Sequence, residues 1–420
     1  MGQKKLESHG YSCDYDAFLN LHAHDPCNEK TRVIVGTHLD SVINAGKYDG
    51  TVGLITFLLC IQMSENEQKA FHHAVDFVIF RAEESTVFKE ALLGSKVATG
   101  LYSARDLSKR IYKRIEDTDL AYEKLYKTSS VLKSSTHWTA LDLIAAQKRR
   151  DVDISMIKRG GWLFHDSKGR VFKDYRAYFE VHIEQGKVLQ AHNKKIGIVT
   201  SIRAPLRFII TLKGRRDHSG GTPMGREYRR DVLCAASECV LAIEEICMEE
   251  ATKGVDIVGT VGVLNIPGMG INIIPGECNF SLDLRSNDSK ERLRIFHRIQ
   301  ERILSSSSSR NIEVIFEKTE DTEPVDLMSK ASSGFYAAIE NELSELEYPW
   351  MKLPSGAGHD AMRISQVGIP VCLLFIPCKD GISHSPDEFA SAEDILIGAK
   401  ALYAVLTNGW DEMRYSQKDR

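Results

Sequence analysis

Histidines and carboxylates that could bind metal ions occur at five positions of this 420-residue sequence: His38, Asp49, Glu84, His182 and His384. Imidazole nitrogens and carboxylate oxygens suit borderline divalent ions such as Zn²⁺ or Mn²⁺. If one carboxylate is shared, the set suits a pair of ions. Two such ions about 3.5–4 Å apart can hold a hydroxide between them and polarise a carbonyl group.

Two further acidic residues adjoin this set. Glu83 stands beside Glu84, and a free carboxylate there could take a proton from water and return it to a leaving nitrogen. Asp40 follows His38 by two residues and could accept a hydrogen bond from the His38 ring, which would fix the tautomer of that ring. The alternatives are an exposed acidic pair at 83–84 and a purely structural role for each histidine alone.

The candidate ligands follow segments with the pattern of buried strands. Apolar runs predict strands of a largely parallel sheet at 33–35, 75–81, 178–184, 196–202 and 371–375. Loops at the carboxyl ends of such strands present side chains to one point, which favours a common site. Nearly all-apolar segments predict a buried helix at 51–64 and a closing helix at 392–406. The N-terminal region carries only a weak strand signal, at 17–22.

The pattern changes between residues 206 and 320. Strands are predicted at 207–212, 258–265, 278–285 and 312–317, and helices at 229–250 and 288–304. The order β-α-β-β-α-β folds as an open, ferredoxin-like sandwich with both helices on one face. We therefore expect an α/β protein with a larger domain of residues 1–205 and 321–420 and an inserted α+β domain of residues 206–320. The charged stretch 101–160 is expected to form surface helices.

Composition excludes several classes of function. The formal net charge is −4 and no basic stripe with interleaved aromatic residues is present, which argues against a nucleic-acid partner. No apolar run reaches the ~18 residues that span a bilayer, so no membrane association is expected. The nine cysteines form no CxxC pair. This suits reduced thiols in a cytoplasmic protein.

The sequence resembles the dinuclear-metal amidohydrolases, which comprise N-carbamoyl-L-amino-acid hydrolases, allantoate amidohydrolases and ureidoglycolate or β-ureidopropionate hydrolases. These are relatives of the zinc aminoacylases and carboxypeptidases. The motifs occur in the family's order: GTHLDSV at 36–42, GKYDG at 46–50, EE at 83–84, LLGSK at 92–96, VHIEQG at 181–186, HSGGTPM at 218–224, INIIPG at 271–276, FSLDLR at 280–285, SGAGHDAM at 355–362 and GISHSP at 381–386. The resemblance implies a zinc-exopeptidase-like catalytic domain with a mixed, mostly parallel sheet, and an inserted lid and dimerisation domain.

The resemblance also implies a role for each candidate ligand. Asp49 matches the carboxylate that bridges two divalent ions. His38 and His182 match the remaining ligands of one ion, and Glu84 and His384 match those of the other. Zn²⁺ or Mn²⁺ is the implied metal, with Co²⁺ and Ni²⁺ as further candidates.

Catalytic and substrate-binding residues can be carried over in the same way. Glu83 matches the general base, and His218 matches a lid histidine that reaches the active site of the other subunit of a homodimer and stabilises an oxyanion. Gln185 matches the side chain that contacts the ureido or amide end of the substrate. The residues implied for the substrate's α-carboxylate are Arg285 and Asn272, assisted by Arg207 and the main chain of Gly358.

The implied activity is that of an amidohydrolase acting on non-peptide C–N bonds in linear amides or amidines. The expected substrate is a ureido or amide compound with a carboxylate, foremost an N-carbamoyl-L-amino acid. A metal-bridged hydroxide would attack it, with Glu83 as the base. Allantoate or ureidoglycolate is the alternative substrate, and a catalytically silent binding protein of the same fold is the alternative of another class. A dipeptidase or aminoacylase is disfavoured, because the peptidases have a carboxylate where His182 stands.

Two departures from the family pattern stand out. Only 37 residues precede His38, fewer than in family members, so the chain is expected to be shortened at its N-terminus. Arg216 stands where the family usually has a small residue, two positions before His218. We expect this arginine to affect His218 or the end of the substrate that it contacts.

Overall fold

A computed structural model describes residues 2–16, 18–27, 31–85, 90–101, 175–268, 270–328 and 333–408. The chain divides into two compact units, one formed by Met1–Thr200 with Asp326–Arg420 and the other by Ser201–Val325. The expected inserted domain, residues 206–320, lies within the second unit. The surface helices expected at 101–160 fall outside the described residues, apart from Leu101.

The larger unit begins with a helix and a hairpin. Its N-terminal elements are α1 (Gly2–Ser8), β1 (Ser12–Tyr15), β2 (Leu21–His24), β3 (Arg32–His38), α2 (Thr51–Glu67), β4 (Ala74–Phe80), α3 (Leu93–Ala98), β5 (Tyr178–Ile183), α4 (Val188–Ala191) and β6 (Ile196–Ile202). The hairpin of β1 and β2 stands where a single weak strand was predicted. Its turn forms because the Asp16 carboxylate accepts the main-chain N–H groups of Phe18 and Asn20.

The second unit is an antiparallel sheet with two long helices. Its elements are β7 (Ala204–Lys213), β8 (Asp217–His218), α5 (Val232–Thr252), β9 (Val258–Thr260), β10 (Leu264–Asn265), β11 (Ile273–Ile274), β12 (Glu277–Ser286), α6 (Ser289–Ser308) and β13 (Glu313–Asp321). The sheet order is β10-β12-β7-β13, with β9 also paired to β12. Asp231 and Asp288 cap α5 and α6 by accepting main-chain N–H groups. The strand predicted at 258–265 is interrupted and forms β9 and β10.

The chain then returns to the larger unit. Its C-terminal elements are β14 (Val325–Asp326), α7 (Ser333–Glu345), β15 (Trp350–Ser355), α8 (Asp360–Gln366), β16 (Val371–Ile376), a 3₁₀ helix (Lys379–Gly381) and α9 (Ala392–Asn408). Among the described residues we find no helix with the length and apolar character needed to cross a membrane.

The large sheet positions the candidate ligands. Its strands are ordered β1-β2-β4-β3-β5-β16-β6-β14, and β15 also pairs with β6. The four strands β4, β3, β5 and β16 are mutually parallel. They are almost wholly buried, as expected where helices cover a sheet. Parallel strands end at the same edge, so the loops after these four strands lie close together.

Candidate metal centre

Three side chains converge at the carboxyl edge of the large sheet. His38 ends β3, His182 lies near the end of β5, and Asp49 lies just before α2. Asp49 Oδ1 lies 3.1 Å from His182 Nε2 and 3.5 Å from His38 Nε2, and the two Nε2 atoms are 3.3 Å apart. All three side chains are buried.

Hydrogen bonds on the far side of each ring decide which nitrogen carries the proton. His38 Nδ1 lies 2.9 Å from the main-chain oxygen of Asp40, and His182 Nδ1 lies 2.9 Å from that of Ile183. A carbonyl oxygen only accepts, so Nδ1 donates in both rings and Nε2 of each neutral ring presents a lone pair. In the neutral rings, two lone pairs and a carboxylate oxygen then face one another, which is repulsive unless a proton or a metal ion lies among them. The donor set therefore fits a divalent metal ion.

A second group of potential ligands shares Asp49. His384 Nε2 lies 3.2 Å from Asp49 Oδ2 and 3.2 Å from Glu84 Oε1. The Gln185 amide donates to the same Asp49 oxygen and to Ser383 Oγ, each at 3.1 Å. His384 is about half exposed, its side chain retaining 48% of its accessible surface, so this group faces solvent. Asp49 thus offers one oxygen to each group, as a bridging ligand would.

The structure brings together all five side chains that the sequence singles out as ligands. Within each group the potential ligand atoms lie within 4.8 Å of one another: His38, Asp49 and His182 in the first, and Asp49, Glu84 and His384 in the second. The nine free cysteines belong to neither group. The groups therefore contain only nitrogen and oxygen donors, which suit Zn²⁺ or Mn²⁺.

The charges of the site shift the pKa values of its members. Burial raises the pKa of Asp49, but hydrogen bonds with the three histidines of the site outweigh burial and hold that pKa well below its usual range. Hydrogen bonds to Asp49 and Glu84 raise the pKa of His384 to about 10. Protons therefore compete with metal ions for the same nitrogen atoms, and metal affinity should fall as the pH is lowered.

Asp40 connects the first histidine to the acidic pair. The ring proton of His38 is received by the main-chain oxygen of Asp40, whereas the Asp40 carboxylate is 3.9 Å from His38 Nδ1. That carboxylate instead accepts the main-chain N–H groups of Glu83 and Glu84, at 3.2 and 3.0 Å. Glu83 is buried next to these groups, and burial raises its pKa well above the ordinary value for a carboxyl group. A carboxylate with a raised pKa is a stronger proton acceptor.

The loops that carry the ligands have unusual backbone angles. Ala82, Gln185 and His384 have φ values of 54°, 55° and 56°, in the left-handed region that non-glycine residues seldom adopt. Gly50, with φ 68°, follows Asp49, and a Cβ atom there would lie 2.5 Å from the His38 main-chain oxygen. Only glycine fits at this position.

Glu388 is a residue of the site that the sequence did not reveal. Its buried carboxylate accepts the main-chain N–H groups of Tyr48 and Asp49 through Oε1, at 2.8 and 3.0 Å. Its Oε2 accepts the Ser383 hydroxyl at 2.8 Å. Glu388 thereby joins the loop of Asp49 to the loop that carries His384. No local motif signals a contact between residues 340 positions apart.

Gly358 lies in the larger unit beside a further buried histidine. The residue is exposed, and the main chain continues into His359 at the start of α8. The His359 ring packs edge-on against His182, with centroids 4.6 Å apart, and its Nε2 lies 3.0 Å from Ser355 Oγ. His359 therefore supports the ring of a candidate ligand.

In the second unit, strand pairing brings His218 and Asn272 together. β8 and β11 form a two-stranded antiparallel ladder, and the Ser219 N–H donates to the Asn272 main-chain oxygen at 3.0 Å. The N–H groups of Gly220 and Gly221 donate to His218 Nδ1 at 3.1 and 3.0 Å. Because Nδ1 accepts both bonds, the neutral ring carries its proton on Nε2. The exposed His218 side chain is thus prepared as an N–H donor.

The two arginines expected to bind the substrate carboxylate are paired with acidic residues. Arg285 donates from Nε and Nη2 to the two oxygens of Asp283, at 3.1 and 2.9 Å. Arg207 donates from Nε to Asp283 at 3.1 Å and from Nη1 to Glu320 at 2.6 Å. Asp283 lies directly opposite Arg207 in the ladder of β7 and β12. A substrate carboxylate would therefore compete with Asp283 for both guanidinium groups.

Comparison with known proteins identifies the family. The model of peptidase family M20/M25/M40 matches residues 34–408 of the chain. The chain belongs to this family.

Individual relatives agree with the family and the fold. The chain is 33% identical over 372 residues to an N-carbamoyl-L-amino-acid amidohydrolase of Pseudomonas sp. (strain NS671), covering 88% of this chain and 80% of that protein. It is 30% identical to an allantoate amidohydrolase of Bacillus subtilis (strain 168), covering 89% and 80%. A crystal structure of an amidase of the hydantoinase/carbamoylase family from Burkholderia multivorans matches with a TM-score of 0.75 at 25% identity, covering 96% and 88%. The family and the α/β fold class predicted from the sequence are confirmed.

The shared position of Asp49 in this M20-family chain leads to a test by metal analysis. Asp49→Ala should abolish binding of both ions, because Asp49 belongs to both groups. His38→Ala should weaken the binding of one of the two ions, because His38 belongs to one of the two groups. Metal content after equilibration with Mn²⁺ or Zn²⁺ and gel filtration, measured by mass spectrometry, checks this. His192→Ala, a change of an exposed histidine, is the control. Retention of one full equivalent by Asp49→Ala would disprove the shared role.

Glu388 provides a second test. Glu388→Ala should weaken metal binding by roughly 10–100-fold, the usual cost of losing a partner that orients a ligand. Glu388→Gln should weaken it less, since the amide can still accept the N–H of Asp49 and donate to Ser383. Calorimetric titration of both variants with Zn²⁺ measures the difference. Equal affinities for the two variants would show that Glu388 does not hold the loops in place.

Proposed function

We propose that the protein is a metal-dependent amidohydrolase that cleaves a C–N bond of a linear ureido acid, foremost an N-carbamoyl-L-amino acid. One observation carries this proposal: Asp49 offers its two oxygens to two separate ligand groups, with the buried Glu83 beside them. The names of the relatives support the substrate class. The substrate is then a small molecule with a ureido or amide group and a carboxylate.

The two ligand groups would hold two divalent ions, Zn²⁺ or Mn²⁺, with Co²⁺ and Ni²⁺ as further candidates. When bound, such ions polarise a carbonyl group and lower the pKa of water. His38 and His182 would complete one set, and Glu84 and His384 the other, with Asp49 common to both. The main-chain hydrogen bonds of the His38 and His182 rings support this assignment, because in each neutral ring they place the proton on Nδ1 and leave the lone pair on Nε2.

Glu83 would move the proton in the reaction. Its carboxylate takes a proton from the attacking water and delivers it to the leaving nitrogen, which departs as an amine or ammonia. Burial favours this role because it raises the pKa of Glu83 toward that of the groups with which it exchanges protons. Asp40 supports the role by holding the main chain of Glu83.

Further residues would position the substrate. The Gln185 amide lies next to Asp49 and His384, where it can contact the ureido end. Asn272 and Arg285 would bind the α-carboxylate, assisted by Arg207 and the main chain of Gly358. A guanidinium fork matches the geometry of a carboxylate.

We further propose a homodimer formed through the second unit, in which His218 of one subunit serves the active site of the other. The tautomer of His218 supports this role, because an Nε2–H donor can stabilise a developing oxyanion. The second unit would then act as a lid. We also propose a cytoplasmic location, which the nine free cysteines favour.

Allantoate or ureidoglycolate is the second candidate substrate. It is supported because the chain has similar sequence identities to an N-carbamoyl-L-amino-acid amidohydrolase and to an allantoate amidohydrolase. A catalytically silent binding protein is disfavoured, because all five ligand positions and Glu83 are present.

A substrate panel tests the proposal. Protein loaded with Mn²⁺ or Zn²⁺ is incubated with N-carbamoyl-L- and D-amino acids, allantoate, ureidoglycolate, N-acetyl amino acids and dipeptides, and ammonia and free amino acid are measured. We expect ammonia release from N-carbamoyl-L-amino acids. Release from allantoate or ureidoglycolate alone would favour the second candidate. Hydrolysis confined to dipeptides, or no turnover with both ions bound, would contradict the proposal.

Glu83→Gln should leave metal content unchanged and lower kcat by at least about 100-fold, because the amide cannot accept the proton. Because burial raises the pKa of Glu83, wild-type kcat/KM should fall as the pH is lowered. This fall should be centred at a pH above about 4–4.5, the ordinary pKa range of carboxyl groups. This acid limb should be absent from the residual activity of the variant. Glu345→Gln, an exposed glutamate of α7, is the control. A wild-type kcat in Glu83→Gln would remove Glu83 from the mechanism.

A further inference from the structure

Backbone alternation places Arg216 on the same side of its segment as His218. Successive side chains of an extended segment face opposite sides. Arg215 and Asp217 share one side, because Arg215 Nε donates to Asp217 Oδ2 at 2.7 Å. Asp217 also lies opposite the buried Ile274 in the ladder of β8 and β11. Arg216 and His218 therefore share the other side, and both are exposed.

Arg216 also adjoins the loop that carries Asn272. A Cβ atom built on Gly268 would lie 3.3 Å from Arg216 Nη1, so the guanidinium rests against this loop. The main chain of Arg216 also adjoins Gly276, where a Cβ atom would lie 2.6 Å from the Arg216 nitrogen. His218 and Asn272 meet on the same surface through the bond from Ser219. The guanidinium of Arg216 thus borders the surface that carries two proposed substrate contacts.

The charge of Arg216 is not neutralised within the described part of the second unit. Its guanidinium makes no ion pair or hydrogen bond with any described residue. Most arginines of this unit do pair with carboxylates: Arg203, Arg207, Arg215, Arg226, Arg285, Arg292, Arg294, Arg298, Arg302 and Arg310. An unpaired guanidinium is available to bind an anion, because the anion does not have to displace a carboxylate of the protein.

We infer that Arg216 is a specificity-determining residue that binds a second negatively charged group on the substrate, so that the preferred substrates are N-carbamoyl derivatives of acidic amino acids. The inference rests on the proposed function, because His218 and Asn272 contact substrate only in that proposal. Arg285 and Arg207 remain assigned to the α-carboxylate. Arg216 then pairs with the side-chain carboxylate of the substrate through charge-assisted hydrogen bonds. A substrate with a side-chain amide of the same shape cannot form these bonds.

Isosteric substrate pairs test the inference. The metal-loaded enzyme is assayed with N-carbamoyl-L-aspartate against N-carbamoyl-L-asparagine, and with N-carbamoyl-L-glutamate against N-carbamoyl-L-glutamine. We expect kcat/KM to be about tenfold or more higher for the acidic member of each pair, mainly through KM. Arg216→Gln should reduce this ratio to about one, and Arg216→Lys should keep part of it. The preference should also weaken with added salt.

Arg230→Gln is the matched control. Arg230 is an exposed arginine whose main-chain oxygen accepts the N–H of Arg215 at 3.2 Å, and it has no ion pair with a described residue. Its substitution removes the same charge close to Arg216. The ratio should stay at the wild-type value in this variant. An equal loss in Arg230→Gln would mean that general charge attraction, not Arg216, sets the preference, and would overturn the inference.

Two other outcomes separate this inference from the proposed function. If wild-type enzyme hydrolyses neutral N-carbamoyl amino acids as well as acidic ones, or if Arg216→Gln lowers kcat/KM equally for both members of a pair, the inference fails and the proposed function stands. If no ureido compound is hydrolysed, both fail.

Discussion

The packing of electron-rich atoms around Asp49 is the constraint on which the larger unit depends. A buried carboxylate and two unprotonated imidazole nitrogens within 3.1–3.5 Å repel one another unless positive charge lies among them. The surrounding structure opposes relaxation of this arrangement. Strand ends fix the two histidines, Gly50 allows the close approach of Asp49, and Glu388 holds the Asp49 loop. This geometry keeps the ligand atoms close together around a position that favours positive charge.

Much of this arrangement was predictable from sequence, because local patterns encode it. The apolar runs before His38 and within 178–184 predict strands, and both strands are observed with bounds shifted by a few residues. Parallel strands end at one edge, so ligands far apart in sequence could be expected to meet. The order β-α-β-β-α-β of the second unit was also predictable, because the apolar pattern marks its strands and helices. In the structure, Asp231 and Asp288 cap the two helices.

Features that depend on tertiary contacts were not predictable. Glu388 acts on a loop 340 residues away, and no motif around it announces this. The spacing of His38 and Asp40 does not reveal whether the main-chain or the side-chain oxygen of Asp40 accepts the His38 proton. Only the conformation of the folded loop decides this. Likewise, the charge of Arg207 is readable from sequence, but its pairing with Asp283 follows from the register of β7 and β12.

The left-handed angles at Ala82, Gln185 and His384 bear on what holds the ligand loops in their conformation. Such conformations are unfavourable in a free chain and persist only when surrounding structure imposes them. The apolar core beneath the sheet, which includes Phe57, Phe77 and Phe179, contains none of the five ligands. The packing of this core therefore does not depend on the five ligand side chains. A zinc finger needs its ion in order to fold. Here the apolar core beneath the sheet supports the three strained loop residues, so the candidate ligands would be held in place before an ion binds.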